Sequence, residues 1–179
     1  MITLIGIKHC GKSTLAAVLA EKKNFFLVDI DSLIEKNVGM SVRSFFSSYG
    51  KDAFMQEEVK ACKKVLNEYP ETTIIASGGG ICDNEEALAL LKEKTKCIFI
   101  DAPEKLIVER IIQKSKEVGS YPAYIAKENP QDDGDVFAIF HPIFLERRQK
   151  YLAAADIVFE VKEKTPFAIA EEILEKNLL

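Results

Sequence analysis

Ile2-Thr3-Leu4-Ile5-Gly6-Ile7-Lys8-His9-Cys10-Gly11-Lys12-Ser13-Thr14 opens with a short apolar, β-rich run and passes into the pattern G-x-x-x-x-G-K-[ST]. Apolar residues at helical spacing follow directly over 13–22. A strand before the pattern and a helix after it are the context in which such a loop wraps a phosphate. Glycines at both ends let backbone amides turn toward an anion, and the helix N-terminus adds partial positive charge. Lys12 then reaches the outer phosphate oxygens and Ser13 ligates a divalent cation. Gly6, His9, Cys10, Gly11, Lys12, Ser13 and Thr14 are therefore the expected nucleotide-binding residues.

Outward from this loop, further apolar runs recur at 25–28, 73–76, 97–100 and 157–161. With 2–5 they predict five buried strands. Helical periodicity occupies 51–68, 84–94, 103–116, 135–152 and 166–177. Strand and helix alternate, which implies a parallel sheet. Asp83 or Asn84 is placed to open the helix leading to Leu91, and Pro103 and Pro166 stand where a first helical turn tolerates a missing N–H. Residues 115–134 are polar and turn-rich and read as a mobile surface segment, with Asp132-Asp133-Gly134-Asp135 as a solvated helix start. No repeat or linker divides the chain, so 1–179 is expected to form one domain.

Composition narrows the function classes. Hydrophobic residues make up 47% and charged residues 29%, an ordinary globular balance. A net charge of -4 supplies no basic field for a nucleic acid backbone. No long apolar run is present to cross a membrane. Cys10, Cys62, Cys82 and Cys97 form no C-x-x-C pair, so they read as reduced thiols and the expected compartment is the cytoplasm. A monomer that binds neither nucleic acid nor membrane is the default.

Asp29-Ile30-Asp31 follows the second strand, at the sheet edge where open α/β proteins bind ligands. Two carboxylates at this spacing can serve one pocket, one beside a metal and one beside an acceptor hydroxyl. Asp31 is equally placed to cap the helix containing Leu33 and Ile34.

Taken in order, the loop, Asp29-x-Asp31 with Leu33-Ile34-Glu35, Val38-Gly39-Met40-Ser41-Val42, Phe54 with Glu58, and Ser77-Gly78-Gly79-Gly80 resemble the shikimate kinase family. Glu146-Arg147-Arg148-Gln149-Lys150-Tyr151, Ala155-Asp156-Ile157-Val158 and Thr165-Pro166 continue the match. The resemblance implies an α/β, three-layer P-loop NTPase fold with a five-stranded parallel sheet flanked by helices, plus a lid segment. It also implies ATP and Mg²⁺, with a small hydroxyl-bearing acceptor, the 3-hydroxyl of shikimate in aromatic amino acid biosynthesis. Carried over, Lys12 and Asp31 are catalytic, Asp31 as base, while Ser13 and Asp29 attend the metal. Gly78, Gly79, Gly80 and Arg147 join Asp31 around the acceptor, Arg147 at its carboxylate. Arg110 lies near adenine or the lid base and Pro166 on the adenine side. The acceptor region is about 31–66 and the lid about 115–134. A helix charge and a helix-start proline are the simpler readings of Arg110 and Pro166.

Two departures stand out. The family carries Phe-Arg-x-x-Glu where this chain has Phe54-Met55-Gln56-Glu57-Glu58, and an Arg-Pro pair where it has Tyr121-Pro122. Arginine offers a planar fork to carboxylate or phosphate that neither Met nor Tyr provides. Lys114, Lys116 and Lys127 are the nearby replacement cations in sequence. These losses motivate two alternatives: a related kinase with another hydroxyl acceptor, and a nucleotide-binding module without transferase activity.

Overall fold

The computed structural model describes residues 1–162 and 164–176. Its strands are β1 (Ile2–Ile5), β2 (Phe26–Asp29), β3 (Thr73–Ala76), β4 (Lys96–Asp101) and β5 (Ile157–Glu160). Its α-helices are α1 (Lys12–Lys23), α2 (Ile30–Val38), α3 (Val42–Glu68), α4 (Glu85–Lys94), α5 (Glu104–Val118), α6 (Ala123–Ala126), α7 (Asp133–Ala154) and α8 (Pro166–Glu175). All strand pairs are parallel, in the order β2-β3-β1-β4-β5. Parallel strands all release their chains at one edge, so the segments after β1, β2 and β3 emerge side by side.

The central strands are apolar because helices cover both of their faces. Leu4, Ile5, Ile74, Ile75 and Ile98 have no exposed surface, and Phe99 stacks on the buried Tyr151 of α7 at 5.4 Å between centroids. The expectation of five buried strands fails at the margins. β2 and β5 are edge strands, and Phe26, Leu27 and Val158 are exposed there.

Two other local expectations change. Helix α3 begins at Val42, well before 51, with Ser41 Oγ accepting from the Ser44 amide as its N-cap. Gly50 interrupts it with φ +81°, a backbone conformation that glycine adopts without steric cost, and thereby hides the helical continuity from a periodicity reading. The segment 115–134 is not purely a surface turn: 115–118 complete α5, α6 forms over Ala123–Ala126, and Ser115 and Ile125 are buried. Asn84 caps α4 by accepting from the Ala87 amide, and Asp132 caps α7 by accepting from that of Asp135. Position 177 of the expected helix 166–177 lies outside the described residues.

Tyr151 also ties α7 to the sheet edge, its hydroxyl donating to the Gly79 carbonyl at 3.1 Å. Tyr151→Phe keeps the stacking on Phe99 and leaves that carbonyl without its donor. The expected loss is about 1–3 kcal/mol, read by urea unfolding as a lower midpoint at constant slope. An unchanged midpoint would show that the tether is not structural.

Candidate active site

The loop between β1 and α1 is held from inside and from the side. Cys10 N–H donates to the Ile7 carbonyl at 3.1 Å, and Lys12 Nζ donates to the Gly6 and Ile7 carbonyls at 2.8 and 3.2 Å. From α5, Arg110 Nη1 donates to the His9 carbonyl at 2.9 Å. His9 has φ +69°, unusual for a side-chain-bearing residue. Burial, with Lys8, Lys12, Arg110 and Lys114 around it, lowers its imidazole to about 4, so it is neutral at physiological pH. The loop borders a cavity of about 520 Å³ that also meets Thr14, Arg110 and Pro166. Gly6 and Cys10 lie outside its lining, and the Cys10 side chain is buried.

Asp29 sits on the same cavity and performs two tasks. One carboxylate oxygen accepts from Ser13 Oγ at 2.8 Å and the other from the Ser32 amide at 3.1 Å. Asp29 is thus the N-cap of α2, a place that Asp31 was equally able to fill by sequence, and the Asp31 side chain is left to face the cavity. Burial and the Asp29 charge raise Asp31 above the usual carboxylate range, against the opposing pull of Lys8 and Lys12.

The glycine turn after β3 runs between these groups. A side-chain carbon at Gly79 would lie 2.5–2.7 Å from Lys8 atoms, including its backbone N and Cα, so only glycine allows the turn and the phosphate loop to pack together. One at Gly78 would meet Asp31 Oδ1 and Glu58 Oε1, each at 2.9 Å. One at Gly80 would stand 3.6 Å from Arg147 Nη2. The turn therefore has the loop behind its centre, two carboxylates at one end and a guanidinium at the other.

Arg147 is gripped by Asp83: Nε and Nη2 both donate to Oδ2, at 3.1 and 2.8 Å, while Lys150 Nζ donates to Oδ1 at 2.8 Å. The two cations outweigh desolvation and hold Asp83 below the usual range. Glu58 is only 2% exposed and has Asn84 as its hydrogen-bond partner at 2.9 Å. Burial outweighs that bond and raises Glu58 to about 7.

A model of the family described as "Shikimate kinase" matches residues 8–177. The chain belongs to the shikimate kinase family. The shikimate kinase of Aquifex aeolicus is 34% identical over 174 residues, spanning 97% of this chain and 93% of the relative. That of Persephonella marina is 31% identical over 173 residues, with 97% and 96% covered. Among solved structures, shikimate kinase from Acinetobacter baumannii in complex with shikimate superposes with a TM-score of 0.84 at 20% identity, covering 99% of this chain and 92% of that one. The Aquifex aeolicus shikimate kinase structure gives 0.76 at 30% identity, with 99% and 95% covered.

Within this shikimate kinase fold the two departures have local consequences. The Met55 backbone carbonyl accepts from Asn84 Nδ2 at 2.9 Å. The Tyr121 carbonyl accepts from Arg43 Nη2 at 3.3 Å, and Ser120 Oγ from Arg43 Nη1 at 2.7 Å, so Arg43 of α3 fastens the 115–134 segment from outside. Of the proposed replacement cations, Lys114 lines the cavity and pairs with Glu117, whereas Lys116 pairs with Asp133 and Lys127 with Glu128. Sequence reasoning missed Lys8, Asp83 and Tyr151 as parts of the site. Asp83 was legible only as a helix cap, because its partners are 64 and 67 residues away.

Glu58 without an arginine beside it has a pH signature. Its carboxyl titrates near 4.5 in the unfolded chain and near 7 in the fold, so the folded form holds the extra proton between those values. The stability this confers is complete below 4.5 and is lost as pH rises through 7. Glu58→Gln escapes that loss. Relative to wild type, it should gain on the order of 3 kcal/mol between pH 4.5 and 8. His9 acts in the opposite sense, stabilising above 6.5 and losing its contribution as pH falls through about 4, but it is common to both proteins and drops out of the difference. Urea unfolding at several pH values reads this; a wild-type-to-variant gap that stays constant would contradict it.

Proposed function

We propose that this chain transfers the γ-phosphate of ATP to the 3-hydroxyl of shikimate. The observation that supports this reading most is the glycine turn of 78–80, packed on the phosphate loop at Lys8 and flanked by Asp31 on one side and Arg147 on the other. Donor and acceptor elements are thereby within one edge of one sheet. The family assignment, with relatives matched along nearly their whole length, agrees with it.

The residues present fit ATP and Mg²⁺. The loop amides and Lys12 are suited to phosphate oxygens, and the two carbonyl bonds of Lys12 are exchangeable for them. Ser13 Oγ and Asp29 Oδ2, 2.8 Å apart, are hard oxygen donors. Among the described residues no group of three or more His, Cys, Asp or Glu could cage a metal, which suits an ion that takes most of its ligands from phosphate and water. When bound, Mg²⁺ neutralises charge on the phosphates. Arg110 and Pro166, at the cavity rim, are assigned to the adenine side.

Asp31 is assigned as the general base. Its raised affinity for protons brings it closer to a hydroxyl about to lose one, while Lys8 and Lys12 keep its ionised form accessible. Arg147 orients the acceptor through its carboxylate and the turn of Gly78 to Gly80 shapes the floor beneath it. Residues 31–66 form the acceptor-binding region and 115–134 the lid, whose closure excludes water and favours transfer over hydrolysis. One domain, a monomeric state and a cytoplasmic location complete the reading; among the described residues no helix is long and apolar enough to cross a membrane.

In an ATP-coupled assay, shikimate should stimulate ADP release in the wild type. Lys12→Ala should lower kcat by about 10²–10³-fold, and Asp31→Asn by about 10²–10⁴-fold with little change in KM for ATP. No shikimate-dependent turnover in the wild type, with turnover of another hydroxy acid or polyol, would move the assignment to a different acceptor. Acceptor-stimulated turnover that survives Asp31→Asn would remove the base.

A further inference from the structure

Moving a phosphoryl group spreads negative charge over the point where the donor phosphate meets the acceptor oxygen, and a cation aimed at that point stabilises the transition state. Residues 115–134 give the cavity lining no cation. Tyr121 stands where the family has an arginine, and Lys116 and Lys127 pair with Asp133 and Glu128 away from that lining. Lys114 does line the cavity, but beside Arg110, Gln113 and Glu117 of α5, at the end assigned to adenine.

Lys8 stands at the other end. Its backbone N, Cα and Cβ pack on Gly79, and the carboxylate of Asp31 packs on the adjacent Gly78. Lys8 and Asp31 therefore flank one turn at neighbouring positions, and both line the cavity together with Lys12. The other cations of the lining are engaged: Lys12 with the Gly6 and Ile7 carbonyls, Arg110 with the His9 carbonyl and Lys114 with Glu117. The exposed Lys8 ammonium has neither hydrogen bond nor ion pair among the described residues. Its charge acts on the Asp31 carboxylate more strongly than that of Lys12. An ammonium on a flexible four-carbon stem, rooted in backbone that Gly79 holds in place, is a point charge able to follow a phosphate.

We propose that Lys8 is a catalytic residue whose ammonium contacts the γ-phosphoryl group in transit, so that the phosphate loop itself supplies the charge that no lid arginine provides. The inference rests on the phosphotransfer reading above. In that step the acceptor oxygen bonds to the γ-phosphorus, the bond from phosphorus to the bridging oxygen breaks with its electron pair leaving on ADP, and the hydroxyl proton passes to Asp31. Lys8 exchanges no proton; it offsets the charge on the equatorial oxygens.

Lys8→Met keeps the stem and removes the charge, and the exposed side chain makes no bond that the fold would lose. With shikimate as acceptor it should lower kcat about 10²-fold while KM for ATP and for shikimate change little, and Lys8→Arg should restore most of the rate. A second readout needs no turnover. Aluminium fluoride with ADP and Mg²⁺ stands in for the phosphoryl group in transit, and calorimetric binding of shikimate to that complex should weaken by the same factor in Lys8→Met, whereas binding of ADP alone should not. An unchanged kcat in Lys8→Met would overturn the inference. So would a rise in KM for shikimate that is absent for its analogue with the carboxylate reduced to a primary alcohol, which would place Lys8 at the carboxylate instead. A loss of rate that vanishes as pH is raised would overturn it too, since Lys8 would then act only through Asp31. A wild type that phosphorylates no acceptor would instead fail the functional reading itself, before any variant is made.

Discussion

The packing of Gly79 against the Lys8 backbone sets the distance between the two halves of the site. A single methyl group there would come within 2.5–2.7 Å of Lys8 atoms, so the turn after β3 and the loop after β1 are held as closely as two backbones allow. Sheet topology prepares this contact: β3 lies beside β1 in parallel register, and both release their chains at one edge. Tyr151 then pins the Gly79 carbonyl from α7, and the same helix presents Arg147 to Gly80. The loop after β1, the glycine turn and Arg147 become one packed unit, and a displacement at any of them is felt at the others.

The electrostatics follow from that compactness. Asp29, Asp31, Glu58 and Asp83 are gathered with Lys8, Lys12, Arg147 and Lys150 around the turn. Asp83 finds two cations that hold it ionised in place. Glu58 has Asn84 and no cation partner among the described residues, and burial, with the nearby Asp31 and Asp83 charges, raises its proton affinity.

Much of this was legible in the linear order of residues, and the exceptions have physical causes. The phosphate loop, Asp29 and the glycine turn are local patterns whose geometry follows from a few adjacent residues, and the structure brings them to one edge. The strand count and parallel sheet were readable from apolar runs, but periodicity does not reveal which strands lie at the margin, so Phe26 and Leu27 read as core. The sequence left Asp31 open between helix cap and pocket carboxylate, because either aspartate satisfies the local capping rule; the hydrogen bond from the Ser32 amide decides for Asp29. The grip of Asp83 on Arg147 depends on how α7 lies across the sheet, and no local pattern encodes that.

The central claim is that this edge transfers a phosphoryl group to the acceptor hydroxyl rather than to water. It is tested most directly by ³¹P NMR of the products formed from ATP, Mg²⁺ and shikimate. The account predicts a new phosphomonoester resonance growing in step with ADP, with inorganic phosphate remaining a minor product. ADP accompanied by inorganic phosphate alone would contradict it.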